Sequence, residues 1–255
     1  MTLTLVTIPC RSDNYAFLVH DEETQETALF DAPEAAPILA ELDARGWRLT
    51  DIFITHHHPD HIDGVPGLLA VHDARVIGAG HDKHRLPDLD LAVAPGELVN
   101  FSNHDVQVFA ADGHTVGHIA FYMPDANAAF TGDSLMALGC GRLFEGTPDQ
   151  MWDTLSTLRA LPDDTLICSG HEYTAANARF ALTVEPQNAD LIARADDIAA
   201  IRARGEFTVP SLLSLEKATN PFLRAHLPEV KKALGQENDS DAEVFAAIRR
   251  AKDNF

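Results

Sequence analysis

Residues 51–64 read DIFITHHHPDHIDG, an apolar run that passes directly into a cluster of histidines and carboxylates. The run at 52–55 has the length and the β-branched composition of a buried strand. Several imidazoles and carboxylates at the end of such a strand indicate a functional site. The alternatives are a polar surface loop or a fortuitous run of histidines.

The geometry of this segment separates its histidines. In an extended backbone alternate side chains point the same way, so His56 and His58 share a side and His57 faces the opposite one. We therefore expect that His57 is not a ligand. A turn begun by the proline brings Asp60 and His61 to a second, adjacent position. Imidazole and carboxylate together suit Zn²⁺, Fe or Mn²⁺ rather than Ca²⁺, so the segment predicts a metal site.

Three later segments each place one donor after a strand-like run. They are GHTVGH at 113–118, TGDS at 131–134 and SGHEY at 169–173. A glycine precedes each donor and lets the backbone turn sharply. A lone histidine in a loop is typically structural or exposed, but four such segments in one chain indicate a shared site.

Together these segments offer seven donors: His56, His58, Asp60, His61, His114, Asp133 and His171. A catalytic zinc site needs three protein ligands, so the set fits two open sites that share one carboxylate. Asp133 is the natural bridge, because a carboxylate has an oxygen for each metal. We interpret His118 as a structural or supporting residue. Two such metals hold a bridging water as hydroxide and polarise a carbonyl or phosphoryl oxygen, which is hydrolytic chemistry.

The first two-thirds of the chain alternates short strand-like runs with turns. We predict strands at 3–8, 16–19, 28–31, 52–55, 75–78, 106–110, 119–123, 128–131 and 165–168. Two helices interrupt them. One is predicted at 35–46, with Gly46 as its C-cap, and the other at 148–161, with Thr147 as N-cap and Pro148 at N1.

After Tyr173 the strand signals nearly vanish and helical patterns take over. Helices are predicted at 175–182, 189–204, 211–217 and 241–252. The sequence therefore predicts an α/β sheet domain at 1–173 and a helical domain at 174–255.

Charge and cysteine content limit the function. The 255 residues carry 19 Lys and Arg against 39 Asp and Glu, a net charge of −20. So acidic a surface repels phosphate backbones and anionic lipids, which argues against nucleic-acid and membrane partners. No apolar run approaches the ~18 residues of a transmembrane helix, and the N-terminus lacks the basic region of a signal peptide. Cys10, Cys140 and Cys168 are few and widely spaced, which fits a cytoplasmic protein.

The run THHHPDHIDG, taken with the three later donors, resembles the metallo-β-lactamase superfamily and its HxHxDH signature. The resemblance implies an α/β fold, an αββα sandwich with a dinuclear site at one edge of its two sheets. The first metal would be held by the family's counterparts of His56, His58 and His114. The second would be held by those of Asp60, His61 and His171, with Asp133 bridging.

Narrower features resemble the hydroxyacylglutathione hydrolase family, also called glyoxalase II. They are TGDSL at 131–135, GCGRLFEG at 139–146, GHEYT at 170–174, TNPFLR at 219–224 and RRAKDNF at 249–255. The last two belong to that family's smaller, all-helical C-terminal domain. The resemblance therefore spans nearly the whole chain.

In that family a basic residue, two aromatic residues and a C-terminal Arg and Lys bind glutathione. The matching positions here are Arg142, Phe144, Tyr173, Arg249 and Lys252. These cations would let a strongly acidic chain bind an anionic substrate, since Arg suits bidentate carboxylate recognition. Without the resemblance, the terminal Arg and Lys would be interpreted as an ordinary solvated helix end.

The chain departs from the family pattern at two places. Phe144 replaces a common tyrosine, so one hydroxyl contact to the substrate would be missing. Ala-Asp-Gly precedes His114 instead of the usual Thr-Pro-Gly. Both changes bear on the binding of glutathione thioesters rather than on the metal donors.

The resemblance implies a thioester hydrolase that converts S-(2-hydroxyacyl)glutathione, such as S-D-lactoylglutathione, to glutathione and D-lactate. This is the second step of methylglyoxal detoxification. Asp60 and Asp133 would be the catalytic carboxylates, acting with the metal-bridging hydroxide. A thiol has a pKa near ~8.5, so the thiolate leaves without a dedicated acid. We expect a monomer with two divalent ions per chain, Zn²⁺ first and Fe or Mn²⁺ as alternatives.

Other functions compete with this hypothesis. A glutathione persulfide dioxygenase with one iron shares the fold, but the LFEG segment at 143–146 and the full helical domain argue against it. A β-lactamase is disfavoured, because the cysteine that often binds the second metal in those enzymes has no counterpart at Asp133. The charge disfavours a nuclease, and the absence of GxSxG and GxGxxG motifs disfavours a serine hydrolase or a dinucleotide enzyme. A non-enzymatic metal-binding or docking module is disfavoured by the intact set of donors.

Overall fold

The structure is a computed structural model that describes residues 3–255. It divides into two units. The first unit comprises the described residues up to Ala110 together with Gly117–Gly132, and the second comprises Ala111–Val116 and Asp133–Phe255.

The first unit contains a six-stranded sheet in which the strands lie in sequence order. The strands are β1 (Leu3–Cys10), β2 (Asn14–Asp21), β3 (Glu26–Phe30), β4 (Arg48–Phe53), β5 (Arg75–Ala79) and β6 (Leu91–Val93). Strands β1 to β3 form an antiparallel meander, and β3 to β6 are parallel. Every residue of β2 is buried, as expected of a strand covered on both faces.

The first unit also holds a second set of paired strands. They are β7 (Leu98–Phe101), β8 (His104–Ala110), β9 (Ile119–Met123) and β10 (Ala128–Gly132), each antiparallel to the next. The turn between β9 and β10 places Asn127 at φ 50, a conformation that asparagine tolerates. Stacked rings of Phe30 and Phe130, with centroids 3.5 Å apart, lie in the core of this unit.

Three helices belong to the first unit: α1 (Ala35–Arg45), α2 (Pro59–Ile62) and α3 (Val65–Leu69). The predicted helix at 35–46 is confirmed, and Gly46 caps it with φ 68. Ile38 and Leu42 form its buried face. Helices α2 and α3 were not predicted from the sequence, because one or two turns are too short to show a helical period.

The second unit is mainly helical. Its elements are β11 (Leu135–Met136), β12 (Gly139–Cys140), α4 (Pro148–Arg159), β13 (Leu166–Ser169), α5 (Thr174–Val184), α6 (Ala189–Ala203), β14 (Ser211–Leu212), α7 (Leu213–Thr219), α8 (Pro228–Leu234) and α9 (Asp241–Asp253). The prediction for α4 is confirmed in detail. Thr147 and Gln150 form a reciprocal capping box, with Pro148 in the first turn. Within residues 3–255, every helix is too short or too polar to cross a bilayer.

All nine predicted strands are present, with ends that differ by a few residues. Strands β6, β7, β11, β12 and β14 were not predicted, because they are only two to four residues long. The prediction of a helix at 211–217 is wrong at its start. Ser211 and Leu212 pair with β13, and the Ser211 hydroxyl donates a 2.7 Å hydrogen bond to buried Glu216. Helix α8 was also missed.

Candidate metal centre

The first four donors follow β4 on a loop that ends in the short helix α2. His58 is the N-cap of α2, and Asp60 stands in its first turn. His56 and His61 are buried, whereas His58 and Asp60 are partly exposed. The end of a central parallel strand therefore delivers all four side chains to one loop.

The donor atoms of this loop converge. Nε2 of His56 lies 3.1 Å from Nδ1 of His58, and the rings of His56 and His61 have centroids 4.1 Å apart. Ligand atoms of Asp60 and His61 lie within 4.8 Å of each other. The first unit thus holds a set of three imidazoles and one carboxylate of the kind that binds a transition metal.

A buried carboxylate that the sequence analysis missed, Asp31, orients two of these imidazoles. It accepts hydrogen bonds from the Thr55 amide (2.8 Å), the Thr55 hydroxyl (2.8 Å) and Nδ1 of His61 (2.7 Å). The Thr55 hydroxyl has one hydrogen, so toward Nδ1 of His56, at 3.0 Å, it is the acceptor. This network assigns the proton to Nδ1 in both rings and makes Nε2 the ligand atom of His56 and His61.

Other residues hold the remaining side chains of the loop. The Asn14 amide donates to the backbone oxygen and to Oδ2 of Asp60, both at 3.1 Å. His57 lies with its Nδ1 3.4 Å from Oδ2 of buried Asp82, and Oδ1 of the same carboxylate accepts a 2.6 Å hydrogen bond from Nε of Arg85. His57 therefore lies beside a buried carboxylate of the first unit, and its absence from the metal ligands stays a prediction.

His118 stacks on His56, with ring centroids 4.6 Å apart and an interplanar angle of 18°. Gly132, at φ 48, lies against His118 and Thr55. A Cβ at Gly132 would come within 2.8 Å of Nε2 of His118. Only glycine fits this position, and its positive φ supports the expected sharp turn before Asp133.

The other three donors lie in the second unit and are buried. Nε2 of His114 lies 3.4 Å from Oδ2 of Asp133, and Nε2 of His171 lies 3.3 Å from the same oxygen. One carboxylate oxygen is therefore shared between two imidazoles. This oxygen is placed to bind a metal ion together with either imidazole.

The hydrogen bonding of His114 tests whether these residues fit a cation. Nδ1 of His114 donates to the backbone oxygen of Arg142 at 2.8 Å, which leaves Nε2 as the ring atom that faces Asp133. In the neutral ring the Nε2 lone pair would meet a carboxylate oxygen, and a metal ion bound to both atoms would replace their repulsion with attraction. The chemistry of this donor set therefore fits a metal.

The segment 141–146 holds the His114 loop in place. The amide of Phe144 donates to the oxygen of His114 at 3.1 Å, and the amide of Gly146 donates to that of Gly113 at 3.2 Å. Oε2 of Glu145 accepts a 2.8 Å hydrogen bond from the Val116 amide. The segment that the sequence analysis assigned to substrate thus also supports a metal donor.

Two exposed aromatic side chains flank the donors of the second unit. Tyr173, 40% exposed, stacks on His171 with centroids 4.7 Å apart and an interplanar angle of 7°. Phe144, 63% exposed, lies with its ring 5.2 Å from that of His114. Both present an accessible face beside a candidate ligand, as a substrate contact requires.

The expected glutathione cations differ in exposure. Arg142 is exposed, but Arg249 is buried and bonded to the Cys140 oxygen (3.0 Å) and to Asp253 (2.8 Å). Lys252 is half-buried, and its Nζ donates to the Ala176 oxygen at 3.3 Å. Burial lowers the pKa of Lys252, and repulsion from Arg249, from Arg179 and from Arg142 lowers it further.

The cysteines offer no reactive thiolate. All three are free and buried. Burial is the largest cause that raises the pKa of Cys10 to about 12 and that of Cys140 to about 11, and it raises the pKa of Cys168 as well. The thiols are protonated at neutral pH, so nucleophilic cysteine chemistry does not account for the site.

Comparison with known proteins agrees with the motifs. Residues 15–171 match the metallo-beta-lactamase superfamily, and residues 172–255 match the hydroxyacylglutathione hydrolase C-terminus. The hydroxyacylglutathione hydrolase of Ruegeria pomeroyi is 60% identical over 255 residues, which is 100% of both chains. The predicted family and fold class are confirmed.

Solved structures share the fold at lower identity. ETHE1 from Myxococcus xanthus is 25% identical with a TM-score of 0.65, covering 98% of this chain and 97% of that chain. TTHA1623, crystallised in a di-iron-bound form, is 27% identical with a TM-score of 0.57, covering 66% of this chain and 91% of that one.

We predict that Asp31→Asn weakens zinc binding by roughly 10–100-fold. The amide replaces one accepting oxygen with a donor, so either the Thr55 amide loses its partner or the Thr55 hydroxyl and Nδ1 of His61 both do. Asparagine tolerates the backbone at φ 57. Competition with a chelator of known affinity measures the change. Asp21→Asn is the matched control, since it alters a buried carboxylate that bonds Ser102 rather than a donor histidine. Equal zinc affinity in Asp31→Asn and wild type would contradict the orienting role.

Proposed function

This chain belongs to the hydroxyacylglutathione hydrolase family of the metallo-β-lactamase superfamily, and we propose how its residues hold two metal ions and the substrate. It is an enzyme, a thioester hydrolase that converts S-(2-hydroxyacyl)glutathione and water to glutathione and a 2-hydroxy acid. The observation that carries this conclusion is the 60% identity to a hydroxyacylglutathione hydrolase over the whole length of both chains. The predicted function is confirmed, and the dioxygenase remains only a distant alternative.

The metal assignment is a proposal with two divalent ions per chain. The first ion would be held by His56, His58 and His114. The second would be held by Asp60, His61 and His171, with Asp133 shared between them. The chemistry of the donors and the orientation of Nε2 in His56, His61 and His114 support this assignment. Zn²⁺ is our first choice, and the di-iron form of TTHA1623 supports Fe as an alternative, with Mn²⁺ as the third.

When bound, the two ions supply an activated water and polarise the thioester carbonyl. The protein's own groups hold the reacting atoms in place. Asp60, fixed by Asn14, and Asp133 are the proposed catalytic carboxylates, which accept hydrogen bonds at the reaction centre. The C–S bond breaks to release the glutathione thiolate, which needs no dedicated acid because a thiol has a pKa near ~8.5.

We propose that the substrate's glutathione moiety binds to Arg142, Phe144, Tyr173, Arg249 and Lys252. The exposed aromatic faces of Phe144 and Tyr173 beside His114 and His171 support this placement. Arg249 is already paired with Asp253, so it would act in part by holding the Cys140 segment. Phe144 lacks the hydroxyl of the usual tyrosine and would contribute only apolar contact.

We propose a metal-binding domain at 1–173 and a glutathione-binding helical domain at 174–255, supported by family matches that meet between residues 171 and 172. We also propose that the chain is a cytoplasmic monomer, with neither nucleic acid nor membrane as a partner. The net charge of −20 supports the exclusion of nucleic-acid and membrane partners. Three buried cysteines that form no disulfide in the described chain support the cytoplasmic location.

The function is tested by loss of thioester absorbance with S-D-lactoylglutathione and metal-replete protein. We expect rapid hydrolysis that EDTA abolishes and that added Zn²⁺ restores. Oxygen uptake with glutathione persulfide, run in parallel, should stay at the background rate. Oxygen uptake without thioester loss would overturn the hydrolase and favour the dioxygenase.

Replacing the shared carboxylate tests the metal assignment. Asp133→Ala should lower the bound metal per chain and reduce turnover by at least ~100-fold, because both sites lose a ligand. Elemental analysis of the purified protein measures the first effect, and the thioester assay measures the second. Asp196→Ala, an exposed position on α6, is the control and should match wild type. A variant of Asp133 that keeps two metals per chain would exclude the bridging role.

The lowered pKa of Lys252 predicts a pH dependence of glutathione binding. The protonated ammonium attracts a carboxylate, so affinity should fall as pH rises through the Lys252 pKa, beginning below the ordinary lysine value of 10.5. Calorimetry with S-methylglutathione measures the affinity. Lys252→Arg stays charged throughout this range and should flatten the curve. Parallel pH curves for the two proteins would refute the role of Lys252.

A further inference from the structure

An anionic substrate needs cations that the protein has not already neutralised. Few such cations are expected in this chain, because 39 acidic residues outnumber 19 basic ones and can pair with them. Arg249 does not meet it fully, since Asp253 lies 2.8 Å from its guanidinium. The following inference rests on the proposed function and asks which cations of the glutathione site are available.

Two guanidiniums meet the condition. Arg142 and Arg179 are both exposed. Within residues 3–255, neither side chain donates a hydrogen bond or forms an ion pair. Their charges are therefore available to a ligand. Arg179 was not among the substrate residues expected from the sequence.

The contacts of α5 and α9 place Arg179 beside the expected site. Nζ of Lys252 donates to the oxygen of Ala176 at 3.3 Å and lies 5.3 Å from the centroid of the Phe180 ring. Residues three and four apart on a helix share a face, so Arg179 stands on the turn of α5 that Lys252 touches. Lys252 also lies one turn after Arg249 on α9.

Arg142 reaches the same region through the Cys140 segment. The Cys140 oxygen accepts a 3.0 Å hydrogen bond from Arg249, and Arg142 follows two residues later. The repulsion that Arg249, Arg179 and Arg142 exert on Lys252 agrees with this placement, because a Coulomb interaction weakens with distance. Arg142, Arg179 and Lys252 bring three like charges to the side of the Arg249–Asp253 pair, so an anion that binds among them relieves their mutual repulsion.

We propose that Arg179 is a specificity-determining residue that binds a carboxylate of the glutathione moiety, next to Arg142. A glutathione thioester carries two carboxylates, one on the glycyl and one on the γ-glutamyl residue. Two unpaired guanidiniums match two carboxylates, and each guanidinium presents paired donors to a carboxylate. Within the described chain Arg179 forms no hydrogen bond or ion pair with a candidate metal donor, so we assign it to binding rather than to the chemical step.

The test compares Arg179→Ala with wild type on two thioesters. S-D-lactoylglutathione carries both carboxylates, and S-lactoyl-N-acetylcysteamine carries none. We expect the variant to raise KM for the first substrate roughly tenfold, as the loss of one charged hydrogen bond predicts, with kcat unchanged. KM for the second substrate should not change. Arg179→Lys keeps the positive charge but lacks the paired N–H donors of the guanidinium, so it should give an intermediate KM.

A control separates local binding from the overall field. Lys232→Ala removes one positive charge at an exposed position on α8 and should leave both KM values unchanged. Thioesters of N-acetylcysteinylglycine, which lacks the γ-glutamyl carboxylate, and of the glycinamide form of glutathione, which lacks the glycyl carboxylate, then identify the group, because the variant loses its effect when the relevant carboxylate is absent. Calorimetry with S-methylglutathione should show the same roughly tenfold loss in affinity.

The outcomes distinguish this inference from the function on which it rests. If wild type hydrolyses S-D-lactoylglutathione and Arg179→Ala keeps its KM, the inference is wrong and the function stands. An equal rise in KM on both substrates would also contradict carboxylate recognition. If wild type shows no hydrolysis, the function fails, and the calorimetric comparison alone decides whether Arg179 binds glutathione.

Discussion

The geometry of the candidate metal centre depends on one buried carboxylate, that of Asp31. It accepts three hydrogen bonds, from the amide and hydroxyl of Thr55 and from Nδ1 of His61. A buried charge is stable only when it is paired in this way. The backbone of Asp31, at φ 57, is of a kind that costs a non-glycine residue about 1–2 kcal/mol. The three bonds offset that cost and hold two imidazoles with Nε2 as the ligand atom.

A second polar network has a similar effect in the helical unit. Buried Glu216 accepts a 2.8 Å hydrogen bond from the Leu138 amide, and Asn220 donates to the oxygen of Gly139 at 3.0 Å. These bonds hold the turn between β11 and β12, which leads directly to Arg142. The oxygen of Arg142 in turn accepts from Nδ1 of His114. One loop therefore links the helices, a candidate metal ligand and a substrate cation, so a change in the loop should affect metal and substrate together.

Sequence reasoning reached most of the architecture because long strands and helices leave a clear period. It missed β11, β12 and α2, whose two to four residues leave none. The donors were recognised because each follows a strand, a criterion that also applies to Asp31 at the end of β3. The sequence could not show which polar side chains form hydrogen bonds with one another. Asp31 finds Thr55 and His61 at 24 and 30 residues' distance, and only the fold brings them together.

The sequence also does not show which basic side chains are paired with acidic ones. Counting residues shows that acids outnumber bases, but not which bases are neutralised, and Arg249 and Arg179 look alike in the sequence. In the structure Arg249 is paired with Asp253, whereas Arg179 is not paired within the described chain. At physiological salt the Debye length is about 8 Å, so exposed acids beyond it contribute little to the potential at a binding patch. A few unpaired guanidiniums can therefore attract an anionic substrate even on a chain of net charge −20. Local pairing therefore determines which cations remain available to a small anion, whereas the net charge of −20 still disfavours extended polyanions and anionic membrane surfaces.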